Sequence, residues 1–295
     1  ANGCMGDLAP HMINCALALM GPISEVSASI DTVHATRGGV AVDNDDHAQM
    51  MVRFATGAMG HLYFSRTAPG RKMGYAYEIH GTKGSIRFDQ EDQNAVHLYR
   101  AEGSEATRGF TRILTGPKHP DYLPFCQGPG HGTGYQDQII IEAKDFLTAI
   151  AEKRAVWPTF QEGLEVNRIV ARELLERDGH HVSEAHDGRK GVEAAEAGQF
   201  DVILMDVNMP KMSGYDAAEQ TRGEPNNPNR SVPMIALTAA ALQSEKEKVF
   251  ASGMNEFVSK PFVPAHLKKV MIQLLTGKVV ERKKTPTAKS NTPKP

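Results

Sequence analysis

Between about residues 25 and 100, apolar and polar positions alternate in short runs separated by Gly-containing turns. Residues 48–54 lead through Thr56-Gly57 into 61–64, and residues 75–80 lead through 81–84 into 85–88. A period of two on both sides of such turns predicts antiparallel hairpins. Helical spacing predicts a helix over 10–20, stopped by Gly21-Pro22. A second helix is predicted over 136–151, with Ile139, Ala143, Phe146, Leu147 and Ile150 on one face. Residues 101–135 read as one long Gly- and Pro-rich loop, the kind that is functional or mobile.

After about residue 160 the pattern changes. Helices are predicted over 165–177, 189–197, 215–221, 243–251 and 265–275. Between them strands are predicted at 181–185, 201–205, 233–237 and 256–258, the run at 201–205 being nearly continuous in apolar residues. Apolar strands alternating with helices predict a parallel sheet covered on both faces. The fold class is therefore α+β followed by α/β. A mostly antiparallel sheet with helices spans residues 1–163, and a doubly wound parallel sheet spans 164–277. Residues 278–295 bury almost nothing and read as a disordered tail.

Length and composition agree with two domains. The chain has 295 residues, 33 Lys+Arg and 35 Asp+Glu, for a net charge of −2. That balance hides a tail with six basic residues and one acid, so the folded body is acidic. A near-neutral chain is not expected to bind nucleic acid generally. No run approaches the roughly 18 apolar residues of a membrane span. Cys4, Cys15 and Cys126 show no paired spacing. With no signal-peptide pattern at the start, a cytoplasmic location is expected. A first residue of Ala1 rather than Met is what a trimmed fragment would show.

Candidate chemistry concentrates in the second half. Asp206, Thr238 and Lys260 each close an apolar strand. In an open parallel sheet the carboxyl ends of the strands form the functional crevice. A carboxylate there can attack a phosphoryl group while a hydroxyl and an ammonium hold its oxygens. Met205-Asp206-Val207-Asn208-Met209-Pro210, Ala236-Leu237-Thr238-Ala239 and Lys260-Pro261 resemble the motifs of response-regulator receiver domains, the type attached to hybrid histidine kinases. The resemblance covers residues 165–276 and implies a flavodoxin-like fold with strand order 2-1-3-4-5. It implies Asp206 as phosphoacceptor, Thr238 as switch hydroxyl, Lys260 as phosphoryl contact and Phe257 as aromatic switch. It also implies Mg²⁺ held by Asp206 and the backbone carbonyl of Asn208, with a histidine kinase or phosphotransfer domain as partner.

One part of that pattern is missing. Receivers open with an apolar strand ending in two acids, and here the matching stretch is Trp157-Pro158-Thr159-Phe160-Gln161-Glu162-Gly163-Leu164. Glu162 is left as the remaining candidate metal ligand from the acid pair, because Gly163 supplies no carboxylate. Pro158 rarely sits in a central strand. The usual first strand is expected to be absent unless residues 155–157 replace it. Phosphoryl acceptance is expected to be impaired, and Mg²⁺ binding weak.

The first half carries Asp7 and His11, an acid and a histidine four apart at a helix start. Such a pair can relay a proton, although a capping Asp and a partly buried His look the same in sequence. Gly6-Asp7…His11, the Ala55-Thr56-Gly57-Ala58 hairpin and Trp157-Pro158-Thr159-Phe160 resemble the C-terminal domain of the glucose–fructose oxidoreductase / inositol dehydrogenase (Gfo/Idh/MocA) family over residues 3–164. The resemblance implies catalytic positions for Asp7 and His11, and a substrate pocket near His131 and Tyr135. It also implies a sheet face available for homo-oligomers. The chain has no strand–Gly-x-Gly-x-x-Gly–helix unit, so NAD(P) binding and sugar or polyol dehydrogenation are not expected without a further domain. Asp43-Asn44-Asp45-Asp46-His47 lacks calcium-loop spacing and reads as a solvated loop. Both resemblances run through one helix near residue 165 with no linker. That marks a chimera spliced at local similarity, and a chain with neither activity is the third reading.

Overall fold

The computed structural model describes residues 3–42, 44–128, 130–209, 211–238, 243–260 and 264–277. The basic tail at 278–295 lies outside them. The chain divides into two compact units, Gly3–Glu173 and the residues from Leu174 onward, and the division falls within one helix. Among the described residues no helix is long and apolar enough to cross a membrane.

The first unit begins with α1 (Cys4–Asp7) and α2 (Ala9–Met20), the latter ended by Gly21 at φ +86°. Its first sheet joins β1 (Ile23–Asp31), β4 (His47–Phe54) and β5 (Met59–Ser65) in the antiparallel order β1-β4-β5. Strand β4 alternates strictly, with Ala48, Met50, Val52 and Phe54 buried. In register, Ala48 lies opposite Phe64 and Met50 opposite Leu62, so both strands bury the same face. Each of the larger side chains contributes about 1.5–3 kcal/mol by leaving water. A two-stranded ribbon, β2 (Thr36–Arg37) with β3 (Val40–Ala41), stands apart. The second sheet is a meander of β6 (Ala76–Gly81), β7 (Gly84–Asp89), β8 (Ala95–Arg100) and β9 (Thr111–Leu114). Helices α3 (Tyr135–Glu152) and α4 (Phe160–Arg177) follow.

Two expectations for this unit need correction. Residues 101–135 are not all loop, because β9 pairs antiparallel with β8. Every residue of β9 is exposed, so no alternation of burial marks it in sequence. The Asp43–His47 cluster is not solvated either: Asp45 and Asp46 are buried. The Asp45 carboxylate accepts the Met5 amide at 2.7 Å. Asp46 accepts Val33 N at 2.8 Å, His34 N at 3.0 Å and Arg37 Nη2 at 3.1 Å. Burial works against the charge on Asp46, but those backbone donors and Arg37 hold its carboxyl below the usual range. These carboxylates tie loops together. Asp43 itself lies outside the described residues.

The second unit holds α5 (Gly188–Ala197), β10 (Ile203–Asp206), α6 (Gly214–Gly223), β11 (Met234–Thr238), α7 (Gln243–Ala251), β12 (Glu256–Ser259) and α8 (Pro264–Thr276). The three strands are parallel in the order β10-β11-β12. Alternate residues of β11 serve two cores. Met234 and Ala236 pack with Val192 of α5, Ala217 and Ala218 of α6 and Val249 of α7. Ile235 packs with Leu267, Val270 and Met271 of α8, and Leu175 at the end of α4 joins that cluster. This is the expected doubly wound arrangement.

The strand expected at 181–185 does not form, and 155–157 do not form one either. The two absences have one cause. In the order 2-1-3-4-5, the second strand pairs only with the first. When the first strand is missing, the second has no hydrogen-bonding neighbour, so it remains irregular chain. Ile203 N donates to Pro233 O at 2.9 Å and Val207 N to Leu237 O at 3.2 Å. By strand alternation, the amides of Leu204 and Asp206 point to the opposite edge. Among the described residues no strand pairs with that edge.

Candidate functional site

Three strand ends meet at the C-terminal edge of the small parallel sheet. Asp206 ends β10, Thr238 ends β11 and Lys260 follows β12 directly. Register places Asp206 opposite Leu237 and Thr238 opposite Ser259. Lys260 Nζ lies 2.6 Å from Asp206 Oδ2, with both side chains largely screened from solvent. Asp206 Oδ1 accepts the Asn208 amide at 3.1 Å. Lys260 N donates to Thr238 O at 2.6 Å, which fixes the lysine backbone against the neighbouring strand. Thr238 is 1% exposed. The three residues named from the sequence thus lie at neighbouring strand ends. Pro210, Ala239 and Pro261 of the same motifs lie outside the described residues.

Glycine allows the loop after Asp206 to close. A Cβ at Gly214 would lie 2.1 Å from the Asp206 carbonyl oxygen, so the first turn of α6 reaches β10 only without a side chain there. Phe257 is half-buried beside the core, edge-on to Phe250 at 6.5 Å, with Lys246 Nζ 5.0 Å from its ring centre.

Sequence reasoning missed Asp187 and Lys211. Asp187 caps α5 by accepting Lys190 N at 2.9 Å, and it takes Lys211 Nζ at 2.7 Å. Its carboxyl is held below the usual range, first by the Lys211 hydrogen bond and then by the Lys190 amide. The readable signal was Asp-Gly immediately before a helix. A second missed group is Arg222. Its guanidinium donates to the carbonyls of Gly253, Asn229, Arg230 and Val232 and to Asn255 Oδ1, at 2.7–3.1 Å. Desolvation lowers its pKa.

Glu162 does not stand free for a metal. Its carboxylate accepts Thr159 N at 2.8 Å and the Thr159 hydroxyl, closing the start of α4. Those two bonds hold its carboxyl below the usual range. It belongs to the first unit and Asp206 to the second. Among the described residues no three His, Cys, Asp or Glu side chains gather as metal ligands.

In the first unit, Asp7 ends α1 and its carboxylate pairs with the Arg66 guanidinium. Arg66 was not legible as a partner, since it lies 59 residues away. His11 is exposed in the first turn of α2, and its carbonyl accepts the Tyr75 hydroxyl at 3.4 Å. Burial pushes the Tyr75 phenol up. His131 and Tyr135 are both exposed. The His131 carbonyl accepts the Cys126 thiol. Asn94 pins the neighbouring loop: its Oδ1 accepts Thr133 N at 2.7 Å and its Nδ2 donates to Thr133 O at 3.0 Å.

Comparison with known proteins matches the two units separately. The family model for the GFO/IDH/MocA C-terminal domain matches residues 1–87, and that for the response regulator receiver domain matches residues 163–272. Levoglucosan dehydrogenase of Pseudarthrobacter phenanthrenivorans is 38% identical over 186 residues, 57% of this chain and 48% of that protein. Its solved complex with NADH and levoglucosan aligns at a TM-score of 0.58 and 38% identity, over 60% of this chain and 49% of that one. The sensor protein GacS of Pseudomonas syringae pv. syringae is 36% identical over 108 residues, 36% of this chain and 12% of that protein. The chain thus spans about half of the one relative and about an eighth of the other. It joins a GFO/IDH/MocA C-terminal domain to a response regulator receiver domain of the kind found in hybrid histidine kinases.

Proposed function

We propose that the second unit is a phosphorelay receiver that accepts a phosphoryl group at Asp206, slowly and without help from Mg²⁺. The supporting observation is Lys260 Nζ, 2.6 Å from Asp206 Oδ2, with Thr238 at the adjoining strand end. An Asp206 oxygen attacks phosphorus, the donor's leaving group departs with the bonding electron pair, and an acyl phosphate forms. Lys260 releases the carboxylate and meets the new phosphoryl oxygens, and the Thr238 hydroxyl supplies a further donor. Phe257 is the aromatic side chain that would register the change. The partner is a histidine kinase or a phosphotransfer domain.

The residues present do not fit Mg²⁺. That ion uses one or two carboxylates along with phosphate oxygens. Here a single carboxylate has one oxygen on an ammonium and the other on an amide. Asp187 is engaged by Lys211, and Glu162 by Thr159. Loss of the acid pair is therefore the cause of impairment.

The test is incubation with acetyl phosphate, with and without Mg²⁺, followed by intact mass. The expected result is slow phosphoryl addition that Asp206→Ala abolishes and that Mg²⁺ accelerates less than tenfold. Addition that survives Asp206→Ala would overturn Asp206 as acceptor. Strong Mg²⁺ dependence would overturn the impairment.

The first unit is proposed to do no hydride chemistry by itself. Relatives were solved with NADH, but no strand–Gly-x-Gly-x-x-Gly–helix unit occurs in this sequence. Titration with NADH, followed by fluorescence, is expected to show no saturable binding; saturation at micromolar NADH would contradict this.

A further inference from the structure

We infer that α3 is a self-association face through which two copies of this chain pack antiparallel. The sequence predicts an amphipathic helix here, and its apolar stripe faces outward. Ile139, Ile140, Phe146, Leu147 and Ile150 are 46%, 53%, 53%, 64% and 59% exposed. In α3 the one buried residue is Ala149, which lies with half-buried Ile141 and Thr148 on the opposite side of the helix. Single exposed apolar residues are ordinary, but a contiguous apolar stripe marks an interface.

The spacing identifies the occupant. Ile139, Ala143, Phe146 and Ile150 follow steps of four, three and four, the seam of a two-helix coiled coil. Ile140 and Leu147 each sit one position after a seam residue and widen it on one flank. With two helices antiparallel, Phe146 of one copy enters the space left by Ala143 of the other. Ile139 then meets Ile150, and Ile140 meets Leu147. A parallel pair would set Phe146 on Phe146, Ala143 on Ala143 and Leu147 against Glu142. The self-complementary arrangement is the antiparallel one, closed by a two-fold axis. The five large side chains offer on the order of 500 Å² per copy, so a pair covers about 1,000 Å², the size at which a specific interface begins. Charged neighbours are already engaged away from the seam: Lys144 pairs with Asp121 and Asp145 with Arg154.

This inference is independent of the chemistry at Asp206. The experiment is sedimentation velocity on the full chain between 1 and 100 μM. The wild-type chain is expected to dimerise, and Phe146→Glu or Leu147→Glu to weaken dimerisation at least tenfold with an unchanged circular dichroism spectrum. Met59→Glu, on the exposed side of β5, is expected to leave the dimer intact. Ile139→Cys/Ile150→Cys is expected to form an interchain disulfide on oxidation, and Ile139→Cys alone is not. Three results would overturn the proposal. One is a wild-type chain that stays monomeric across the range. Another is a dimer untouched by both glutamate variants, which would point to another surface such as the sheet. The third is cross-linking by Ile139→Cys alone, which would exclude the antiparallel order.

Discussion

The two units pair their strands differently. In the first, β4 pairs with β5 across a four-residue turn, and the β6–β9 meander pairs each strand with the next. Hairpin pairing is local, so each strand brings its partner with it. In the second, parallel pairing depends on sequence-distant strands. The missing first strand would have sat between the second and the third, so two strands are lost together. The chain at 181–185 is present but forms no strand. The meander needs only sequence neighbours, whereas the parallel sheet lacks its usual flanking strands among the described residues, and Lys260 still meets Asp206 at the strand ends.

The contrast can be broken most forcefully at Gly214. A Cβ there would lie 2.1 Å from the Asp206 carbonyl oxygen. Gly214→Ala is expected to cost about 3 kcal/mol or more and to unfold the second unit. The first unit should survive, with β4 amides still protected in hydrogen exchange; loss of both units together would show that they do not fold separately. Met50→Ala, with the side chain fully buried in β4, is expected to cost the first unit about 2–5 kcal/mol in denaturant unfolding. The phosphoryl-acceptance rate at Asp206 should remain as it was.

Arg222→Met acts on the second unit alone. It removes the guanidinium from four backbone carbonyls, of which Asn229 O keeps the Val232 amide at 3.2 Å. The expected cost is about 2–3 kcal/mol, read from the second unit's unfolding transition alone. The smallest effect is expected at Glu91. Its carboxylate accepts Lys72 N, Arg71 and Met73 N, which hold its pKa down to about 2 from an ordinary 4.5. This latch is fully present above about pH 4.5 and is lost as pH falls through about 2. Amide exchange at Lys72 and Met73 should accelerate at low pH after correction for the intrinsic rate. Glu91→Gln should show that acceleration at neutral pH.

Much of this was legible in the sequence because it was written locally. Alternation fixed the face of β4, and three apolar runs ending in Asp206, Thr238 and Lys260 located the crevice. What was not legible depended on partners. Residues 181–185, between two helices, look like a strand until the neighbouring strand is known to be missing. Asp45 and Asp46 look like solvent-facing acids, and only tertiary contacts with Met5, Val33, His34 and Arg37 bury them. The stripe on α3 was read correctly as apolar, but periodicity cannot say whether such a face turns inward or outward.

Among the described residues the second unit carries a three-stranded sheet in which β10 is an edge strand. Residue-resolved hydrogen exchange at neutral pH tests it most directly. Amides of residues 181–185, together with Leu204 and Asp206 on the outer edge of β10, are expected to exchange faster than those of Met234–Thr238 in β11, which stay protected. Protection at 181–185 equal to that of β11 would reveal a further strand in the sheet and contradict the account.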